Sequence, residues 1–210
     1  MICGMAFDAR EVVLGDVALV QAGYPFRTTV EEVPNGDVLA IQMKDVGPEF
    51  GVDWAGAIRT RLVGRKQPDW VQDGDILFAA KGARFYAACT GVPPGHAVCV
   101  PAFFHLRVHA AAQVDPHFLA WQINQPPCQR QLTLAAEGSS QLSIRRTVLE
   151  RLALRVPAVE EQRRIVALAE LAKRERQALQ QLIFNREQQL QAIAEHLGAP
   201  AGRTRIQDQT

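Results

Sequence analysis

The last third of the chain constrains the fold most, because it has the pattern of one long, continuous helix. No proline or glycine occurs from Ala158 to Leu197, so nothing interrupts helical hydrogen bonding there. Pro157 suits the first helical position, and Glu160 and Glu161 place negative charge at the positive end of the helix dipole. A helix of about 38 residues is about 57 Å long. The sequence therefore predicts a helix too long to pack entirely against a small domain.

The predicted helix carries an apolar seam with an eleven-residue repeat. Eleven residues correspond to 3.67 residues per turn, so the seam runs almost straight along the helix. A helix folded back on its own domain would cover such a seam, and so would a pair of helices formed with a second copy or another subunit. Length and continuity favour the pair, in a coiled-coil-like arrangement. The seam residues are Leu168, Leu171, Leu179, Leu182, Leu190 and Ile193.

Length and composition predict one domain with an appendage. A chain of 210 residues accommodates a domain of about 150 residues and a long helix. No apolar run approaches the roughly 20 residues of a membrane span, and the N-terminus lacks a basic segment followed by an apolar one. We therefore expect a cytoplasmic protein with no membrane partner. The net charge is only +1, but acidic residues dominate as far as position 58 and basic residues come later, which is compatible with one face meeting phosphate and another a partner.

The part of the chain before the helix has the pattern of a mixed α/β domain. Apolar runs at 38–43, 75–80 and 152–156 predict strands, and residues 104–109 alternate apolar and polar, as a strand with one solvated face would. Residues 116–123 and 128–134 read as helices that Pro126 and Pro127 separate. The predicted fold class is α+β, with a mixed α/β domain at 1–156, a long dimerisation or docking helix at 157–198 and a flexible tail at 199–210.

Motifs for catalysis, cofactor binding and metal binding are absent from the sequence. It contains no glycine-rich cofactor loop, no P-loop and no carboxylate cluster followed by a lysine. Five cysteines and histidines are candidate zinc ligands, but their spacings match none of the usual zinc sites. They are Cys89, His96, Cys99, His105 and His109. We expect a non-catalytic protein with no metal and no cofactor.

Four segments, in order, resemble the DNA-specificity (S) subunits of type I restriction-modification systems. Together they span nearly the whole chain: Leu14–Val17 through Gly23–Arg27; Asp73–Phe78 with Lys81 and Gly82; Gly138–Ile144 followed by Leu149; and Pro157–Ile165, which contains Glu161 and Gln162. The resemblance implies a non-enzymatic reader of double-stranded DNA that docks DNA methyltransferase (modification) subunits and, in some systems, a restriction/translocase subunit.

The chain departs from that family in size. Family members usually hold two recognition domains and two long helices, whereas this chain has one of each. It resembles a half subunit that pairs as a homodimer and reads a bipartite, inverted target. A fragment or an accessory cassette would have the same length.

Ten polar residues are candidates for DNA contact. Bases are read by side chains with fork geometry at groove edges, and phosphates are bound by lysine, arginine, serine and backbone amides. The candidates lie beside predicted turns or in the basic group after position 58, which we expect to contact phosphates rather than bases. They are Arg27, Arg59, Arg61, Arg65, Lys66, Lys81, Arg84, Ser139, Ser140 and Gln141.

Two other functions fit the sequence. The chain could be a protein–protein interaction module with a helical docking arm and no DNA contact, or an enzyme whose site has no recognisable motif. A mobility-shift titration at several salt concentrations separates the first from a DNA reader, since phosphate contacts make affinity fall steeply with salt.

Overall fold

The computed structural model describes residues 8–26, 29–63, 67–139 and 141–198. It divides into two compact units, Met1–Leu168 and Ala169–Thr210. The packing boundary thus falls within the long helix, between Leu168 and Ala169. The division at 156 predicted from the sequence concerns function and stays a prediction.

The predicted α+β fold, a mixed body followed by a single long helix, is confirmed. Short 3₁₀ turns occur at Met43–Asp45 and Ala110–Ala112. In chain order the strands and helices are β1 Ala9–Val13, α1 Leu14–Val17, β2 Ala18–Ala22, β3 Val38–Ile41, β4 Val46–Gly47, β5 Gly51–Val52, β6 Ile58–Thr60, β7 Ile76–Ala79, β8 Tyr86–Cys89, β9 Ala97–Cys99, β10 Phe103–Val108, α2 Pro116–Ile123, α3 Pro126–Leu134, α4 Arg146–Glu150, β11 Ala153–Pro157 and α5 Val159–Gly198.

A four-stranded antiparallel sheet with the order β2-β10-β7-β8 forms the centre of the body. Strand β7 is apolar at every position because both faces of this sheet are covered. Ile76 and Phe78 belong to a core shared with residues of the helices, whereas Leu77 and Ala79 belong to a second core shared with β3 and β9. In the three-stranded sheet β6-β3-β9, β3 runs parallel to β9 and antiparallel to β6.

The N-terminal strand closes the body by pairing with the strand that precedes the long helix. Strand β1 runs antiparallel to β11, with Ala9 opposite Pro157. The prediction that Pro157 opens the helix is wrong, since this residue ends β11 and the helix begins at Val159. A proline is tolerated there because it is the last residue of a strand that pairs with only one other strand, so its missing amide interrupts no ladder of hydrogen bonds.

A buried glutamine attaches the start of α5 to the body. Gln162 is fully buried. Its Nε2 donates to the carbonyl oxygens of Gln113 and Pro157, at 3.0 and 2.8 Å, and its Oε1 accepts from the amide of Asp115 at 2.8 Å. Gln113 adopts a left-handed conformation with φ 52°, which few side chains favour. The amide of Gln162 thus satisfies backbone groups of the loop between β10 and α2.

Two local predictions need correction. Pro126 and Pro127 do not separate two helices but form the first turn of α3, where a proline loses no helical hydrogen bond. The alternating strand is β10, but its polar face is only partly solvated, since His105 is buried and Arg107 is partly buried. Leu106 belongs to the core shared with the helices and Phe103 to the second core, so both faces of β10 meet other elements.

Candidate nucleic-acid interface

Two of the predicted DNA-contact segments lie side by side in the structure, although about sixty positions separate them. The amide of Gly82 donates to the carbonyl oxygen of Leu142 at 3.1 Å, and the amide of Ile144 donates to that of Ala80 at 2.9 Å. These bonds flank an isolated antiparallel bridge between Lys81 and Ser143. The chain after β7 is therefore held against the segment that precedes α4.

Ser143 also pairs with a third segment on its other side. Its amide and carbonyl exchange hydrogen bonds with those of Glu137, at 2.8 and 3.0 Å. The three segments, 80–82, 142–144 and 136–138, make a small antiparallel arrangement with Ser143 in the middle. We call it the three-segment junction.

Four of the ten predicted DNA-contact residues lie in or near the junction with exposed side chains. The side chains of Lys81, Arg84, Ser139 and Gln141 are all exposed. Gly138, with φ 114°, turns the chain so tightly that a side chain there would collide with the carbonyl oxygen of Gln141. The glycine thus allows the turn that presents residues 139 and 141.

An arginine that the sequence did not single out extends this surface. The guanidinium of Arg145 contacts the carboxylate of Glu137, with 2.6 Å between Nη2 and Oε2. Both side chains are largely in solvent, 70% and 49% exposed respectively. The alternation of residues 141, 143 and 145 on one side of an extended segment is the signal that would have included Arg145.

The other predicted DNA contacts lie elsewhere or outside the described residues. Arg59 belongs to the edge strand β6 and Arg61 follows that strand; both side chains are exposed. They lie on and just after the edge of the three-stranded sheet and not at the three-segment junction. Arg27, Arg65, Lys66 and Ser140 fall outside the described residues.

A buried carboxylate lies just before β7, within the Asp73–Phe78 motif. Asp75 accepts two hydrogen bonds from Arg107, at 2.8 Å from Nε and 2.7 Å from Nη2, and one from Nε2 of His105 at 2.7 Å. A fourth comes from the amide of Gln72 at 2.7 Å. Burial alone would raise the pKa of Asp75, but these donors outweigh it and lower the pKa from 3.8 to about 2. The motif therefore includes an ionised carboxylate that holds β7 to β10.

The residues considered as zinc ligands have other contacts in the structure. His105 binds Asp75, and His96 stacks on Trp70 with 4.6 Å between ring centroids. Burial raises the pKa of the Cys89 thiol to about 12. A protonated thiol is a poor metal ligand and a poor nucleophile. Among the described residues, no group of three or more His, Cys, Asp or Glu side chains is placed to hold a metal ion.

The apolar seam of α5 is exposed along its length. Its six residues have between 53% and 67% of their surface in solvent, although large contiguous apolar surfaces are uncommon on soluble monomers. Within the described part of the chain, no helix is both long and apolar enough to cross a membrane.

Comparison with models of protein families and with curated proteins finds no match. Solved structures do match. A chain of a type I R-M system, from a study of its assembly and conformational transition, is 18% identical, with a TM-score of 0.66 over 91% of this chain and 45% of that one. The HsdS subunit from Thermoanaerobacter tengcongensis is 20% identical, with a TM-score of 0.63 over 96% and 53%. The S subunit of the type I restriction-modification system of M. genitalium is 14% identical, with a TM-score of 0.58 over 89% and 45%.

These likenesses show the fold. The chain spans about half the length of the solved chains that it matches. The fold implied by the resemblance to S subunits is thereby confirmed, with a body and a long helix each present once.

Proposed function

We propose that this chain is the DNA-specificity subunit of a type I-like restriction-modification or DNA methyltransferase complex in the cytoplasm. Its three-segment junction carries the proposal, because the junction brings the exposed Lys81 beside the segment that carries Ser139 and Gln141. The likeness in fold to S subunits supports the same function. In this proposal the chain is non-catalytic. A modification subunit, with or without a restriction/translocase subunit, supplies the chemistry.

The side chains around the junction suit the two tasks of a DNA reader. Lys81 and Arg84 are exposed cations that can bind phosphates and set the register of the protein on the duplex. Gln141 can bind adenine through both its amide oxygen and nitrogen in the major groove. Arg59 and Arg61 would add phosphate contacts from a different part of the body. Arg27, Arg65, Lys66, Ser139 and Ser140 complete the proposed set.

The long helix would supply the second half of the reader. Two copies that pair antiparallel through their seams would bury the exposed leucines and place one body near each end of the helix pair. A two-fold axis makes one apolar surface serve both chains. Such a dimer would read two inverted half-sites across a spacer set by the helix. The same helices would dock the modification subunit.

The exposed seam also fits the alternative, a protein–protein module that does not bind DNA. The two functions differ in their response to salt. For a DNA reader, the logarithm of the binding constant falls linearly with the logarithm of the salt concentration. The slope is about 0.9 for each phosphate that the protein neutralises. An interaction module should show no such binding.

The proposal is tested by mobility-shift titration of the full chain with a random-sequence duplex at several salt concentrations. The double variant Lys81→Ala, Arg84→Ala should reduce the slope by about 1.8 and keep the near-UV circular dichroism of the wild type. Arg163→Ala with Arg174→Ala is the matched control, because it removes two exposed arginines from α5. Absence of salt-dependent binding by the wild type would favour the interaction module. Equal slopes in the two double variants would remove Lys81 and Arg84 from the DNA-contact set.

A further inference from the structure

The backbone pairing of the three-segment junction fixes which side chains share a face. Lys81 and Ser143 are directly opposite in an antiparallel bridge, and so are Ser143 and Glu137. Residues directly opposite in antiparallel segments extend their side chains to the same side. Lys81, Ser143 and Glu137 therefore form a row across the junction.

The opposite side of the junction faces the core, which leaves this row on the outer surface. Ala80 and Ile144 precede and follow the paired residues and are both buried, with 3% of their surface exposed. Arg145 comes two residues after Ser143 and returns to the outer side. Its contact with Glu137 is consistent with that placement.

The outer row contains one carboxylate in a surface that is otherwise cationic or neutral. Glu137 lies across Ser143 from the phosphate-binding candidate Lys81, and its carboxylate contacts the guanidinium of Arg145. Near a duplex its charge would be repelled by the phosphates. Both side chains of its ion pair with Arg145 are exposed to solvent, and such surface ion pairs contribute little to stability. A phosphate can instead bind a guanidinium through two charge-assisted hydrogen bonds.

We propose that Arg145 is a further DNA-phosphate contact and that Glu137 occupies it in the DNA-free protein, to be displaced by a phosphate when DNA binds. The inference rests on the proposed function and adds a residue and a mechanism to it. In the free protein the carboxylate holds the guanidinium on the outer side of the junction. On binding, the phosphate takes the place of the carboxylate, and Glu137 turns to solvent.

A double-mutant cycle tests this exchange. Glu137→Gln, Arg145→Gln and the double variant are compared with the wild type by titration with the same random-sequence duplex. Arg145→Gln should lower the salt slope by about 0.9, so the variant should lose about 3.5-fold less affinity than the wild type between 50 and 200 mM salt. Glu137→Gln should bind DNA more tightly, and the gain should be clearly larger where Arg145 is present. Arg145→Lys keeps the charge and should restore the slope.

The neighbouring ion pair provides the matched control. Arg146 and Glu150 make a similar contact of 2.7 Å at the surface of α4, and Arg146→Gln should leave the slope unchanged. Near-UV circular dichroism checks that each variant is folded, which we expect because residue 137 pairs with Ser143 through its backbone.

Three results would overturn the inference alone, and a fourth would also overturn the proposed function. If Glu137→Gln tightens binding equally with and without Arg145, Glu137 repels DNA generally and does not compete for the guanidinium. If Arg145→Gln keeps the wild-type slope, or Arg146→Gln lowers it equally, Arg145 is not a distinct contact. In each of these cases salt-dependent binding by the wild type leaves the proposed function standing. A wild type that does not bind the duplex would overturn both.

Discussion

The buried carboxylate of Asp75 should be the most sensitive polar position in the body. All four groups that contact its oxygens are donors, from Arg107, His105 and the amide of Gln72. In Asp75→Asn an NH₂ group replaces one oxygen, so at least one of these donors loses its acceptor. The charge opposite Arg107 disappears as well. We expect a folded but clearly destabilised protein.

The magnitude follows from the pKa and the lost acceptor. A fall in the pKa of Asp75 from 3.8 to about 2 is equivalent to about 2.4 kcal/mol of stability at neutral pH. A buried donor without a partner costs about 1–3 kcal/mol, and part of this is already contained in the first figure. We therefore expect a loss of about 3 kcal/mol, or a fall in Tm of about 6–12 °C for a chain of this size.

The effect should depend on pH with a definite sign. Because the folded pKa of Asp75 is below its unfolded value of 3.8, the carboxylate stabilises the protein above pH 3.8 and loses this effect as the pH falls through about 2. At pH 3 the contribution should be about half of its value at pH 7. The difference between wild type and Asp75→Asn should shrink accordingly.

Urea denaturation of both proteins at pH 7, 5 and 3 measures these differences. The control is Asp73→Asn, which makes the same chemical change at an exposed position two residues away and should alter stability by less than about 0.5 kcal/mol. If the two variants have the same free energy of unfolding at pH 7, the reasoning about the buried network is refuted.

The remaining predictions concern α5. Leu179→Glu with Leu182→Glu should abolish a homodimer seen by analytical ultracentrifugation, because burying four carboxylates at one seam is prohibitive; a wild type that sediments as a monomer at tens of micromolar would leave the helix as a docking arm for another subunit. A chain that ends after Leu168 should keep a cooperative thermal transition. One that ends after Val156 loses the buried Gln162, leaves the carbonyl of Gln113 and the amide of Asp115 without this partner and should melt at a clearly lower temperature; equal Tm values for the two truncations would contradict this role of the glutamine.

The parts of the fold that are local in sequence could be predicted from it. The long helix, the helix at 116–123 and the strand at 75–80 follow from periodicity and turn residues, and the structure has each within about two residues. Pairing between distant segments could not be predicted in this way. Nothing in residues 9–13 identifies 153–157 as their partner, because strand pairing depends on the fold of everything between them.

In the candidate site, too, local features could be predicted from the sequence and long-range pairing could not. Exposure of Lys81, Arg84 and Gln141 follows from their positions beside glycine turns, and the structure bears this out. Lys81 and the 139–143 segment form one surface only through tertiary pairing, which local sequence patterns do not predict. The polar face of β10 was misread for the same reason, since alternation shows that His105 and Arg107 point together but not whether solvent or Asp75 meets them.

Asn124 gives the central sheet an edge that depends on a single amide group. Its Oδ1 accepts from the amide of Ala87 and its Nδ2 donates to the carbonyl oxygen of the same residue, both at 2.8 Å. This satisfies the outer side of the edge strand β8 as a neighbouring strand would. Deamidation would replace the nitrogen with an oxygen and set it against the carbonyl of Ala87. Chemical ageing of one side chain would thus leave the amide and the carbonyl of Ala87 without their paired partner at the edge of the sheet.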